Sequence, residues 1–543
     1  MGIYNLREIG DNRTTISTPV CIIGAGMAGL LLARRLAQAG RNVTLIESGL
    51  DFYDPEIQRL NEIEDLNGSY KWPVTGRARG LGGTSSLWGG RIISLSQQEA
   101  ESVCHPSLSG WPFSTSELEA YRPEIERVFK LDHSSFEEDI LGDLDRRCHF
   151  PSADPDVTCR WIKWATFKRG NLTALLKSEL QQAKNIDIWL GATVCGLDYD
   201  EASGRLLAIQ ASSLEGHRVI VRANEFVFAA GTIETTRLLL LLDEASGKRA
   251  FHRCRVLGRY FQDHLDAQVG WLRPKDRTVT NMLFAPRFFN SIRRSPHLEL
   301  NRDIAGIGFA TGASFAHIPV NLTENRVLSV VKNMYDNLCA RKFDLNLGAF
   351  SEIGANYKLL SKFVLWRLLK RQFFIPDDID YKLHICIEQA PHPNNRILLS
   401  DKRDRLGVPM VRLSWSPMEP DEQTFRTSVA RIGAYWRRSG FDNICPIEWT
   451  PAAKDASMLI IDQAEDWCHP SGTTRMGLDP AESVVGPDMT CHDVPNVRVV
   501  SASIFPISGS VNPTLTIMQL ALRCADLILE RSASEPVRPG LAA

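Results

Sequence analysis

No uninterrupted apolar stretch in this 543-residue chain approaches the ~18–20 residues that a membrane-crossing helix needs. The opening "MGIYNLREIGDNRTTISTPV" is acidic and polar where a secretory signal would carry an apolar core, so a cytoplasmic location is expected. Charge of one sign is missing too: a formal net charge of −2 gives no electrostatic reason to expect a nucleic-acid partner. The 12 cysteines form no CxxC pair and no paired-histidine spacing. That pattern argues against a structural zinc or an iron–sulfur cluster and points to free thiols in a reducing compartment. No CxxCH is present, so any haem would have to sit on another subunit. Internal repeats are absent as well.

What the chain does have is glycine placed between apolar segments. "PVCII" reads as a buried strand, "MAGLLLARRLAQAG" as a helix stopped at Gly40, and "NVTLIE" as a second buried strand. Between the first strand and the helix lies "GAGMAG". In this βαβ context Gly24 permits a tight turn, Gly26 lets the backbone approach a pyrophosphate, and Gly29 lets helix pack on strand. The helix N-terminus would meet the phosphate charge, with Ala25, Met27 and Ala28 in the same turn. Glu47, followed by Ser48, would accept from a ribose hydroxyl. This fingerprint leaves FAD and NAD open. A second glycine-dense loop, "RARGLGGTSSLWGGRI", favours FAD. Gly82, Gly83, Thr84, Ser85 and Gly89 would let backbone lie flat against a large planar ligand, and Leu87 and Trp88 are too apolar for a loose surface loop.

Five collinear segments spread along the chain resemble the glucose–methanol–choline (GMC) flavoprotein oxidoreductases. They are "GAGMAG…LIE", "GLGGTSSLWGG", "FVFAAGTIETTRLLL" with "GRYFQDH", "EQAPHPNNRILLSDKRDRLGVP", and the C-terminal pair "HPSGTTRMG" and "SASIFPISGSVNPTLTIMQLALRCADLI". The resemblance implies a Rossmann-type α/β domain that binds FAD, assembled from separated segments, and a substrate domain with a mostly antiparallel sheet. It implies oxidation of an alcohol carbon. The expected segments are 15–95, 186–265 and 456–532 for the first domain and 96–185 and 266–455 for the second, with 533–543 as a disordered tail.

On its own residues His469, in "WCHPSGTTRMG", stays open between base, metal ligand and buried core histidine. The resemblance makes it the catalytic base, paired with Asn512 43 residues later. Asn512 before Pro513 and Thr514 also reads as a helix N-cap. His264 in "QDHLD" is expected to order the chain near the cofactor. Ala230 and Gly231 are expected beside the cofactor, and Val194 lies where relatives make a backbone contact to adenine. Two positions depart from many relatives. Leu87 occupies the slot where some carry a histidine linked to FAD, so the FAD is expected to be non-covalent. Ser501 stands where many have an aspartate contacting the cofactor. The wording around Ser501 and Asn512, with "GWPFSTSELEAY", is similar to bacterial members acting on sugars, sugar acids and polyols. A sugar, glycoside or polyol hydroxyl is therefore the expected substrate. A tailoring oxidoreductase on a larger hydroxylated molecule and a redox-silent lyase on the same fold are the alternatives, and the electron acceptor (oxygen, a quinone or a redox protein) is left open.

One stretch, "KLLSKFVLWRLLKRQFF" at 358–374, has five basic residues and no acid. On a helical wheel its cations fall among its apolar residues rather than opposite them, so it reads as a buried or partner-facing helix rather than a membrane-surface one.

Overall fold

The computed structural model describes residues 2–9, 14–101, 110–137, 139–141, 149–151, 153–165, 170–301, 312–339 and 347–534. Two large sheets organise them. In the first, the strands run in the order Ile3–Asn5, Ile186–Leu190, Val43–Ile46, Thr14–Ile23 and Arg218–Phe228, all parallel. On its far edge, Arg218–Phe228 is joined in parallel by Val497–Val499 and antiparallel by Arg205–Ser212, which pairs with Thr193–Asp200. The continuous apolar run at the end of Thr14–Ile23 is what a strand covered on both faces requires. Helix α1 (Met27–Gln38) packs its Leu30, Leu31, Leu32 and Leu36 there and stops two residues before Gly40, whose φ is 79°. Helix α2 (Gly231–Ala245) follows Arg218–Phe228 directly.

The second sheet is antiparallel throughout. Its main path runs Ile447–Trp449, His264–Leu272, Tyr381–Glu388, Ser314–His317, Ile292–Leu300, Val157–Trp164 and Arg91–Ile92. Each sheet has its own apolar core. Strand pairing crosses the segment limits expected from the sequence. Ile3–Asn5 belongs to the first sheet although it precedes residue 15, and Arg91–Ile92 and Glu465–Asp466 join the second. Ile63–Asp65 pairs with Pro409–Ser414 in a small third sheet.

Two elements differ from expectation. Helix α3 (Tyr357–Leu369) has no buried residue, and its Val364, Leu365, Leu368 and Leu369 face outward. The interleaved pattern that reads in the sequence as a sign of burial instead accompanies cations lying over rings outside the helix, Lys362 on Phe374 and Arg367 on Phe288. At the C-terminus, helix α4 (Thr514–Ser534) runs two residues into the segment expected to be disordered, and 535–543 lie outside the described residues. Among the described residues no helix is long and apolar enough to cross a membrane.

Candidate active site

A cavity of about 550 Å³ runs along the ends of the first sheet to His469 and Asn512. Its nucleotide side is made of backbone. Gly24 sits at φ 102°, a left-handed value, and a Cβ there would lie 2.7 Å from the Ala229 carbonyl oxygen. A Cβ on Gly29 would lie 1.9 Å from the Gly24 oxygen, so helix and turn touch only because Gly29 lacks one. The second glycine loop is stitched to the first, with Gly82 N–H donating to the Ala25 carbonyl at 2.8 Å. These contacts explain why Ala25, Gly29, Gly82 and Ser85 hold the cavity's shape without lining it. The Ser85 hydroxyl is spent on the Gly82 carbonyl and the Leu172 N–H. The other expected cofactor residues, Gly24, Gly26, Met27, Ala28, Glu47, Ser48, Gly83, Thr84, Leu87, Trp88, Gly89, Val194, Ala230, Gly231, Ser501, Pro513 and Thr514, all line it.

The residues present fit a dinucleotide. Neither α1 nor α2 has a side-chain cap: Gly26 and Ala230 stand at the cap positions, and both helix N-termini open on the cavity. Uncapped N-terminal N–H groups, together with the helix dipole, favour an anion there. A Cβ on Gly26 would meet no protein atom within 4 Å, which marks open space kept for a ligand. The Glu47 carboxylate accepts from Ala25 N at 2.7 Å and from Gly49 N at 2.8 Å, which fixes its aim at the cavity, and burial raises its pKa. Both oxygens thus hold the turn itself, and their remaining lone pairs are what a ribose hydroxyl would meet.

At the other end, the hydrogen bonds define one chain of protons. His264 Nε2 lies 2.7 Å from the Gly509 carbonyl, which can only accept, so that nitrogen carries the hydrogen. Burial depresses the His264 pKa, the ring is neutral, and its Nδ1 is a bare acceptor. His469 Nδ1 lies 2.8 Å from that acceptor and must therefore donate. His469 Nε2 is left without a hydrogen, 3.1 Å from the Asn512 Nδ2 amide, a donor. A carbonyl at one end and an amide at the other thus impose the same tautomer on His469. Burial, with help from His264 and Arg91, holds its pKa well below the usual histidine range. Asp263 fixes the backbone, accepting from His469 N at 2.8 Å, while burial pushes the pKa of its own carboxyl well above the usual carboxylate range. Cys468, just before, is exposed and held at φ 57°.

His264 carries little weight in the sequence, because a partnership across 205 residues leaves no local trace. Sequence reasoning also misses Trp467, 5.4 Å from the His469 ring, and the cavity-lining Arg91. Arg91 lies within the second glycine loop, directly after Gly90, a position that could have drawn notice.

Similarity to known proteins agrees with this architecture. The family description "GMC oxidoreductase" matches residues 391–521, and "FAD dependent oxidoreductase" matches residues 19–53. An alcohol dehydrogenase [acceptor] of Pseudomonas putida is 33% identical over 94% of this chain and 95% of its own. The 6'''-hydroxyparomomycin C oxidase of Streptomyces lividus is 24% identical over 95% of this chain and 92% of its own. The 2-methyl-1,2-propanediol dehydrogenase of Mycolicibacterium austroafricanum is 24% identical over 95% of both. A solved structure of a fungal aryl-alcohol oxidase shares the fold, with a TM-score of 0.57 at 14% identity, covering 97% of this chain and 100% of its own. The chain belongs to the GMC oxidoreductase family and is an FAD-dependent oxidoreductase acting on CH–OH groups.

Proposed function

We propose that the protein oxidises a hydroxyl of a sugar, glycoside or polyol to a carbonyl, with His469 as the base and Asn512 as its partner. The observation that carries this is the bare Nε2 of His469, fixed by the Gly509–His264–His469 chain and facing Asn512 in the cavity. FAD, when bound, takes the hydride from the alcohol carbon. The rest falls to the protein. His469 Nε2 accepts the hydroxyl proton, and the neighbouring Asn512 N–H steadies the oxygen as negative charge develops on it. The neutral starting state of His469 suits this order of events, since an imidazolium could not take a proton. The sugar and polyol class draws on the relatives' activities, two of which act on an aminoglycoside and a diol by name. We further infer that FAD is held without a covalent bond, since Leu87 lines the cavity at the linkage slot and offers no nucleophile.

Anaerobic addition of sugars, polyols and glycosides to the yellow holoenzyme tests this reading. Loss of the flavin colour with one class is expected, and acid precipitation should release the flavin into the supernatant. His469→Ala should slow bleaching by about 10²–10⁴-fold. Bleaching at the wild-type rate in that variant would remove His469 from the base role.

A further inference from the structure

Arg91 is a cation that bonds to no carboxylate among the described residues. It begins a two-residue strand paired with Trp164, and its guanidinium lies between two indole rings, 4.9 Å from the Trp164 centroid and 5.0 Å from that of Trp467. The residue lines the same cavity as His469 and Asn512, and the two sides meet at Trp467. Its Nη1 is buried with no acceptor, and no carboxylate pairs with it among the described residues. Asp266, the acid whose charge it feels, is already engaged through both oxygens. His317 Nε2 donates to one at 2.8 Å and His384 Nδ1 to the other at 2.7 Å. A second guanidinium, Arg293, lies 4.0 Å from the Trp164 centroid with its Nε buried and unpartnered. Burial and Arg91 together bring the Arg293 pKa down to about 10. Among the described residues, Arg91 thus has a second guanidinium beside it and feels one carboxylate, which is held by two imidazoles.

Leaving a buried cation unpaired is costly, and a flat guanidinium clamped between indoles is arranged to grip a planar anion through two parallel N–H groups. We propose that Arg91 receives a carboxylate carried by the substrate, so that the alcohol oxidised is a hydroxy acid such as an acidic sugar. This rests on the alcohol oxidation proposed above and narrows its substrate. The carboxylate stays intact; the CH–OH becomes C=O, the hydride passes to FAD and the hydroxyl proton to His469. An amine-bearing substrate would meet a like charge at Arg91.

The test uses flavin-loaded wild type, Arg91→Gln and Arg91→Lys, the last keeping the charge if the first folds poorly. The anaerobic reduction rates with D-gluconate, D-sorbitol and D-glucosamine are compared. The expected order is gluconate, sorbitol, glucosamine, with gluconate ahead of sorbitol in kcat/KM by about 100-fold. Arg91→Gln should abolish that preference, chiefly through KM, and Arg91→Lys should keep part of it. Glutarate, a carboxylate with no hydroxyl to oxidise, should bind wild type by calorimetry, compete with gluconate and fail to bind Arg91→Gln. Equal rates of flavin reduction by sorbitol and by gluconate in wild type would overturn the proposal. So would an Arg91→Gln loss of equal proportion on both, which would make Arg91 a stabiliser of any alkoxide, or glutarate binding that survives the substitution. If no alcohol reduces the flavin, the alcohol-oxidation reading fails, and the glutarate titration still decides Arg91.

Discussion

The two walls of the cavity are made of different material. On the first sheet's side the ligand would meet mainly backbone: Gly24, Gly26 and Gly83, and the starts of α1 and α2. On the second sheet's side it meets side chains brought together from distant parts of the chain: Arg91, Trp467, and His469 leaning on His264. A backbone wall recognises a constant partner through N–H groups and helix dipoles, and is vulnerable only where a Cβ is forbidden. A side-chain wall can be retuned one residue at a time, so it is where one oxidoreductase differs from another.

The sharpest way to break the comparison lies within the glycine motif. Gly29→Val should abolish holoenzyme, because even its Cβ would overlap the Gly24 carbonyl oxygen. Gly26→Ala should fold with little change in Tm, since its Cβ meets no protein atom, yet bind FAD more weakly because it reaches into the ligand's space. The flavin-to-protein absorbance ratio and a thermal melt separate the two. Equal damage from both substitutions would mean that Gly26 serves packing, not the ligand.

On the side-chain wall, Asn512→Ala should lower kcat by about 10²–10³-fold, as loss of a donor to developing oxyanion charge does. His264→Phe should act through His469, freeing it to adopt either tautomer. His264 is also one of the groups that lower the His469 pKa. A base whose pKa is depressed stays neutral and competent to lower pH. Wild-type kcat/KM should therefore hold from neutral pH to below about 6.5, the ordinary histidine value, and fall only in acid. In His264→Phe the acid limb should move to higher pH. A fall in rate with an unmoved limb would reduce His264 to packing.

This division also decides what can be read from the sequence. Gly24, Gly26 and Gly29 are legible because the backbone conditions they satisfy are local: a left-handed φ, a close approach, a strand and helix within one short unit. His469 and Asn512 are legible through a resemblance. Arg91, Trp467 and the His264–His469 bond are not, because each acquires its meaning from a neighbour far away in the chain. Trp164 and Trp467, which flank one guanidinium, come from widely separated parts of the chain. The stretch at 358–374 misleads for a related reason. Its mixed pattern signals burial only if every apolar residue seeks the core, whereas its cations are occupied by rings outside the helix, Phe374 at the stretch's own end and Phe288 far from it in the chain.

That helix yields the smallest expected effect. Leu368 and Leu369 are 69% and 76% exposed on α3, whereas Ile385, on the central strand Tyr381–Glu388, is fully buried. Ile385→Ala removes packed methylenes from the core and should cost about 2–5 kcal/mol in urea unfolding. Leu368→Glu and Leu369→Glu remove no packed surface and should each stay within about 0.5 kcal/mol. A loss near that of Ile385→Ala would show that α3 is covered in solution, and a dependence of that loss on protein concentration would identify the cover as a second copy of the chain.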